Sequence, residues 1–264
     1  MGPQLSLFGI VKTGVNRVLS PFGVQLVRNP KPVVGGTETV SGSFPPYGDL
    51  HIIGRRENRF IQDGYQSRAE PQYFDDTITP DGWQEEVYRF AREIFDSGSL
   101  NSVLDIGCGS GRKLMKYFPD RQTIGLDVEK TCAALRRRYP GRQWQVADFR
   151  ATAVPAADLV IASDVIEHVA DPDEMLEYIL RIDPQYLIVS TPDRNLLRYG
   201  THKGPPSNPT HLREWTMAEF HAYLSERWEI LEHFISCAPQ CTQCVLAKPK
   251  KSQATALAAE SISS

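Results

Sequence analysis

Val-Leu-Asp-Ile-Gly-Cys-Gly-Ser-Gly-Arg-Lys, residues 103–113, is a short apolar run that ends in Asp105 and breaks into glycines at alternate positions, Gly107, Gly109 and Gly111. A helical pattern follows at about Lys113–Phe118. Glycine accepts the left-handed backbone of a tight strand-to-helix turn and lets main-chain N–H groups approach a ligand closely. In open α/β sheets such turns lie at the carboxyl ends of the strands, where ligands bind.

Nicotinamide and flavin enzymes also carry a glycine turn, with the pattern G-x-G-x-x-G. Here the third glycine comes one place early and Arg112 holds the dinucleotide position. Asp105 precedes the turn. A carboxylate there repels a pyrophosphate but suits an ammonium group, which favours S-adenosylmethionine, whose amino-acid end is zwitterionic.

Further acids extend the pattern. Thr123–Val128 reads as a second buried strand that brings Asp127 to its end, twenty residues after Gly107. That spacing suits a carboxylate accepting from two ribose hydroxyls, with Val128 beside it. Gln143–Phe149 reads as a third strand ending in Asp148, an acceptor for an adenine amino group, and Phe149, a packing surface for the ring. Ala157–Val165 is a fourth strand, which puts Ser163 and Asp164 at its end, followed by Ile166-Glu167-His168.

These segments resemble the class I S-adenosylmethionine-dependent methyltransferases over roughly residues 80–248, through Val-Leu-Asp-Ile-Gly-Cys-Gly-Ser-Gly, Gly-Leu-Asp-Val, Val-Ala-Asp-Phe and Asp-Val-Ile-Glu-His. Ser67–Phe74, Trp83–Tyr88 and Gly204–Trp215 further resemble bacterial methyltransferases encoded near glycosyltransferases. That finer resemblance implies a sugar or glycan acceptor. The expected cofactor contacts are Asp105, Gly107, Cys108, Gly109, Gly111, Asp127, Val128, Asp148, Phe149, Ser163 and Asp164. On resemblance, Arg68, Tyr73 and Gln84 are candidates for the acceptor or the cofactor carboxylate.

Helical patterns follow the strands at about Lys130–Tyr139, Asp173–Arg181 and Met217–Arg227. Asp81–Ser97 precedes the first strand, with Trp83, Val87, Tyr88, Phe90, Ala91 and Ile94 on an apolar stripe. Alternating strands and helices predict a Rossmann-like, doubly wound α/β fold, mainly parallel and seven-stranded. Trp228–Ser236 and Cys241–Ala247 are too close for a parallel crossover and predict an antiparallel hairpin. The resemblance implies that its last strand inserts beside the fifth. Asp171, Pro172, Asp173 and Glu174 read as a helix start, and Thr216 with Glu219 as a capping box, so these acids are structural.

The chain has 264 residues, 41% hydrophobic and 23% charged, with a formal charge of -3. This is an ordinary globular composition and gives no global case for nucleic-acid binding. No apolar run approaches the roughly 18–20 residues that span a bilayer. Residues 1–36 carry Lys12, Arg17, Arg28 and Lys31 and no acid, and the rest is formally -7. Leu7–Phe22 has apolar residues near helical spacing, which suits either peripheral contact with an anionic membrane through residues 1–30 or a helix over the core. The expected division is an extension and linker at 1–50, a cofactor-binding domain at 51–248 and a disordered tail at 249–264. Five cysteines without a secretory signal suit a reducing, cytoplasmic location.

Cys237, Cys241 and Cys244 have the C-x3-C-x2-C spacing of an iron–sulfur ligand set. They fall on and between two terminal strands, where alternation turns Cys241 and Cys244 to opposite faces. No metal site is expected.

Methyl transfer to a hydroxyl needs a general base. His211, in the long segment Pro192–Trp215, is the preferred candidate, and His168 after the fourth strand is the second. The same segment offers Arg194, Arg198, His202, Lys203, Asn208 and Arg213 to a polar acceptor, with Asn208 and Arg213 foremost. Alternatives are methylation of a lipid-like or quinone precursor and a non-catalytic cofactor-binding module. A nucleic-acid amino-methyltransferase lacks its Asn-Pro-Pro-Tyr-like segment here, and a dehydrogenase lacks the glycine spacing.

Overall fold

The computed structural model describes residues 53–70, 72, 82–198 and 201–250. The expected N-terminal extension, nearly all of the tail, and Tyr73 lie outside the described residues. Seven strands form one sheet in the order β3-β2-β1-β4-β5-β7-β6. They are β1 Ser102–Ile106, β2 Gln122–Asp127, β3 Gln143–Val146, β4 Leu159–Ser163, β5 Tyr186–Pro192, β6 Trp228–Cys237 and β7 Thr242–Pro249. The first five are parallel, and β7 runs antiparallel between β5 and β6. This is the doubly wound sheet with a C-terminal hairpin that the sequence predicts.

Helices α1 Glu85–Ser97, α2 Arg112–Tyr117, α3 Glu129–Arg138, α4 Pro172–Ile182, α5 Arg194–Arg198 and α6 Met217–Ser225 connect the strands. Strand alternation splits the core into two layers. Leu104, Val160, Ala162, Leu187, Val189 and Val245 pack on the α4 and α6 side with Met175, Ile179, Phe220 and Leu224. Val103, Leu159, Ile161, Ile188, Cys244 and Leu246 face α1, α2 and α3 with Val87, Phe95, Leu114 and Leu135.

The predicted helix starts are present. Asp171 caps α4 by accepting from Asp173 N, with Pro172 in the first turn, and Thr216 and Glu219 form the full capping box of α6. Such caps contribute about 1 kcal/mol each. Two local expectations change. Helix α1 begins at Glu85, so Trp83 lies before it and is 57% exposed instead of sitting on the buried stripe. Strand β3 stops at Val146, which leaves Asp148 and Phe149 on the following turn.

Glu219 does more than cap. Its Oε1 accepts from Arg194 Nη2 at 2.6 Å and from Gln62 N at 2.9 Å, while Oε2 accepts from Thr216 N at 2.8 Å. One buried carboxylate thereby joins the segment ahead of α1, the connection after β5 and the start of α6.

Candidate active site

The sheet order reverses between β1 and β4, and both strands end at the same edge. Ligands of doubly wound sheets bind at this switch point. The glycine turn leaves β1 there, and the Asp164–His168 turn leaves β4 beside it.

Gly107, Gly109 and Gly111 have φ of 69°, 51° and 71°. A Cβ on Gly107 would come within 2.3 Å of Val165 Cγ2. The two turns are therefore packed against each other. Asp105 has the parity of Val103 and faces α1, where Tyr88 Oη donates to both carboxylate oxygens at 3.0 and 2.8 Å. Asp105 is fully buried. Tyr88, placed by its sequence on an apolar stripe, thus has a polar task that periodicity alone does not reveal.

At the end of β2, Asp127 accepts from Gly109 N at 2.9 Å and from Val128 N at 2.8 Å. Val128 leaves an apolar side chain 47% exposed beside it. Asp148 is exposed, with Oδ1 accepting from Arg150 N, and Phe149 packs against Tyr178 at 5.5 Å. The Asp127 carboxylate, an exposed aliphatic surface and a second carboxylate follow one another along the strand ends, which fits an adenosyl group. Cys108 is buried in the core layer facing α1, and Ser163 Oγ lies 3.1 Å from Ser190 Oγ inside the sheet.

Beyond β4, Asp164 takes a left-handed φ of 52°. Ser190 Oγ donates to its Oδ1 at 2.6 Å and Gln84 Nε2 to its Oδ2 at 3.3 Å. Glu167 is fully buried; Thr191 Oγ1 donates to its Oε2 at 3.0 Å, and its Oε1 has no hydrogen-bond partner among the described residues. Burial, reinforced by the Asp164 charge, pushes the Glu167 carboxyl well above the usual range.

The loop before α6 folds back onto this turn, with Leu212 N donating to Glu167 O at 2.8 Å. That contact brings His211 to His168, ring centroids 4.8 Å apart. His168 Nδ1 donates to Thr210 O at 2.8 Å, which makes Nε2 its basic nitrogen. His211 is tied at both nitrogens, Nδ1 to Glu214 Oε1 at 2.9 Å and Nε2 to Asn208 Nδ2 at 2.9 Å. Asn208 Oδ1 accepts from Thr210 N and Oγ1, so its amide points N–H at His211 Nε2, and His211 Nδ1 donates to Glu214. His168 is the more open of the two: its side chain is 33% exposed and that of His211 9%.

The acceptor candidates mostly brace this loop. Arg68 donates to His211 O and Pro206 O, Arg213 to Val169 O and Ala170 O, Gln84 to Asp164, and Asn208 to His211. Burial lowers the Arg213 guanidinium to about 10. Glu167 and Glu214 are the site residues that sequence reasoning left out; the Asp-Val-Ile-Glu-His run held the signal for the first.

No metal site is expected from the sequence, yet one ligand-type atom each from Glu167, His168 and His211 lie within 4.8 Å of one another. The cysteines form no such group among the described residues. Cys244 is buried in β7, while Cys237 and Cys241 flank the hairpin turn.

The glycine turn and strand-end acids at the switch point define an α/β enzyme that binds an adenosyl cofactor. Residues 76–234 match the methyltransferase domain family, and the chain belongs to it. It is an S-adenosylmethionine-dependent methyltransferase, with S-adenosylmethionine as its cofactor. No curated protein matches the sequence. Among solved structures it is similar to the magnesium protoporphyrin IX methyltransferase of Synechocystis PCC 6803 with bound SAH, at TM-score 0.49 and 15% identity over 63% of this chain and 83% of that one. The methyltransferase domain of bacterial CtHen1-C gives TM-score 0.49 and 19% identity over 62% and 97%. The [4+2]-cyclase SpnF gives 0.49 and 19% over 70% and 88%. Likeness at this level describes the outline of a fold and says nothing of the acceptor.

Proposed function

We propose that this enzyme transfers a methyl group to a hydroxyl of a sugar or glycan intermediate. The observation that carries the O-methyl reading is His168, whose Nδ1 is held by Thr210 O and whose Nε2 lies 3.9 Å from the buried Glu167 at the switch point. A hydroxyl acceptor needs such a base as its oxygen attacks. The resemblance of Ser67–Phe74 and Gly204–Trp215 to methyltransferases encoded near glycosyltransferases supports the sugar.

Asp105 and the 107–111 turn would hold the amino-acid end of the cofactor, Asp127 the ribose, and Val128, Asp148 and Phe149 the adenine. When bound, the cofactor supplies an electrophilic methyl on a good leaving group. The protein's share is to align the acceptor, exclude water and accept the hydroxyl proton. His211, held between Glu214 and Asn208, positions His168 and the loop.

A labelled methyl donor should be offered to nucleotide sugars, glycans, quinone precursors and small amines. Label in a base-stable sugar ether, lost about a hundredfold or more in kcat for His168→Ala, is the expected result. Label on a quinone precursor or an amine would overturn the sugar assignment. Residues 1–30 are proposed to touch anionic membranes, which would serve a lipid-carried glycan; equal vesicle co-sedimentation with and without them would sink that idea.

A further inference from the structure

We propose that Glu167, His168 and His211 hold a divalent transition-metal cation through one carboxylate oxygen and two imidazole nitrogens, with its remaining positions open to the acceptor hydroxyl. Its catalytic role rests on the O-methyl reading; the binding itself does not.

The candidate ligand atoms lie within 4.8 Å of one another. Glu167 Oε1 is buried without a hydrogen-bond partner among the described residues, and His168 Nε2 is 3.9 Å from it. A buried carboxylate oxygen left unsatisfied costs free energy unless something answers it. Both histidines are oriented as metal ligands usually are, by an acceptor on the other nitrogen. Thr210 O takes Nδ1–H of His168, and Glu214 takes Nδ1–H of His211. Asn208, whose amide now meets His211 Nε2, is exposed and can yield that lone pair to a cation at the cost of about one hydrogen bond. Thr191 fixes the other Glu167 oxygen, so all three ligands have outer partners.

The surroundings suit a positive ion. Asp164 adds a second carboxylate whose charge acts on Glu167. Two imidazoles and one carboxylate with open positions favour Mn²⁺, Fe²⁺, Co²⁺ or Zn²⁺ over the all-oxygen coordination that Mg²⁺ prefers. A cation here acts as a Lewis acid on the acceptor. A cation-bound imidazole nitrogen accepts no proton, so with the site occupied His168 serves as a ligand in place of the base: the hydroxyl gives its proton to water, the new carbon–oxygen bond forms, and the carbon–sulfur bond breaks with its electron pair left on sulfur.

Chelator-treated full-length protein should be titrated with Co²⁺ and followed by visible absorption, with Mn²⁺ binding followed by electron paramagnetic resonance. One equivalent per chain is expected, with the spectrum of nitrogen and oxygen ligands. Affinity should fall about tenfold or more in His168→Ala and in Glu167→Gln, while Cys237→Ser binds like wild type. His168 is partly exposed, so its variant is the one to rely on if Glu167→Gln does not fold. Absence of stoichiometric binding, a thiolate charge-transfer band, or equal affinity in wild type and His168→Ala would overturn the site. Bound cation with no methylation of any sugar would leave the site standing and remove the sugar reading. Sugar methylation at an undiminished rate in chelated protein would remove the cation from the reaction.

Discussion

Arg194 Nη2 lies 2.6 Å from Glu219 Oε1, and neither side chain has any exposed surface. Removing one partner of a buried pair leaves an uncompensated charge and costs about 3–5 kcal/mol. Arg194→Leu and Glu219→Gln should each lower the unfolding free energy measured by urea titration by that amount. The double substitution should lose much less than the sum. Additive losses would show that the two charges do not stabilise each other.

Tyr88 Oη donates to both carboxylate oxygens of Asp105. Calorimetric titration with S-adenosylmethionine and its demethylated product should give micromolar binding, roughly -8 kcal/mol. Asp105→Ala should abolish it. Tyr88→Phe should weaken it by about tenfold, the loss of a hydrogen bond to a charged group. Unchanged affinity in Tyr88→Phe would mean that the carboxylate needs no orientation.

Gly107 combines a φ of 69° with a contact to Val165 that a Cβ would invade. Gly107→Ala should therefore separate the glycine turn from the β4 turn, lowering both thermal stability and cofactor affinity. Gly107→Ala with Val165→Ala should recover part of the stability by opening the space. No recovery would place the whole penalty on the backbone conformation.

His233 and Asp193 set opposing pH slopes. Burial, with His221 stacked on its ring, lowers His233 to about 3. The unfolded chain binds that proton from about pH 6.5 downward, so the contribution is complete above 6.5 and lost as pH falls, at up to about 1.4 kcal/mol per pH unit. Asp193 is raised by burial from 3.8 to about 7. Its contribution is complete below 3.8 and is lost as pH rises toward 7. Between about pH 4 and 6.5 the two slopes oppose each other. Urea unfolding across that range should show stability rising with pH in Asp193→Asn and falling in His233→Gln. Parallel profiles in the two variants would refute the assignment.

Much of this molecule is legible because its signals are local. Asp105, Asp127 and the three glycines sit at strand ends marked by apolar runs, and the Asp171 and Thr216 caps lie within four residues of the groups they serve. The histidine pair is legible only as two candidates. Their meeting depends on the Leu212–Glu167 backbone contact between distant segments, which no periodicity encodes. Helix α5 escapes notice because it has only five residues and lies inside a segment read as loop. The role of Arg68 and Arg213 is similarly hidden, since a guanidinium that braces carbonyls has the same letter as one that meets a substrate.

The hydrogen bond from Leu212 N to Glu167 O has a consequence for how such an enzyme diversifies. The loop before α6 and the turn after β4 share a strap, so a foreign loop grafted ahead of Leu212 keeps His211 against His168 only if it restores that peptide pairing. Exchanges confined to residues 201–207 leave the strap intact, so that stretch can change in sequence while the two histidines stay together.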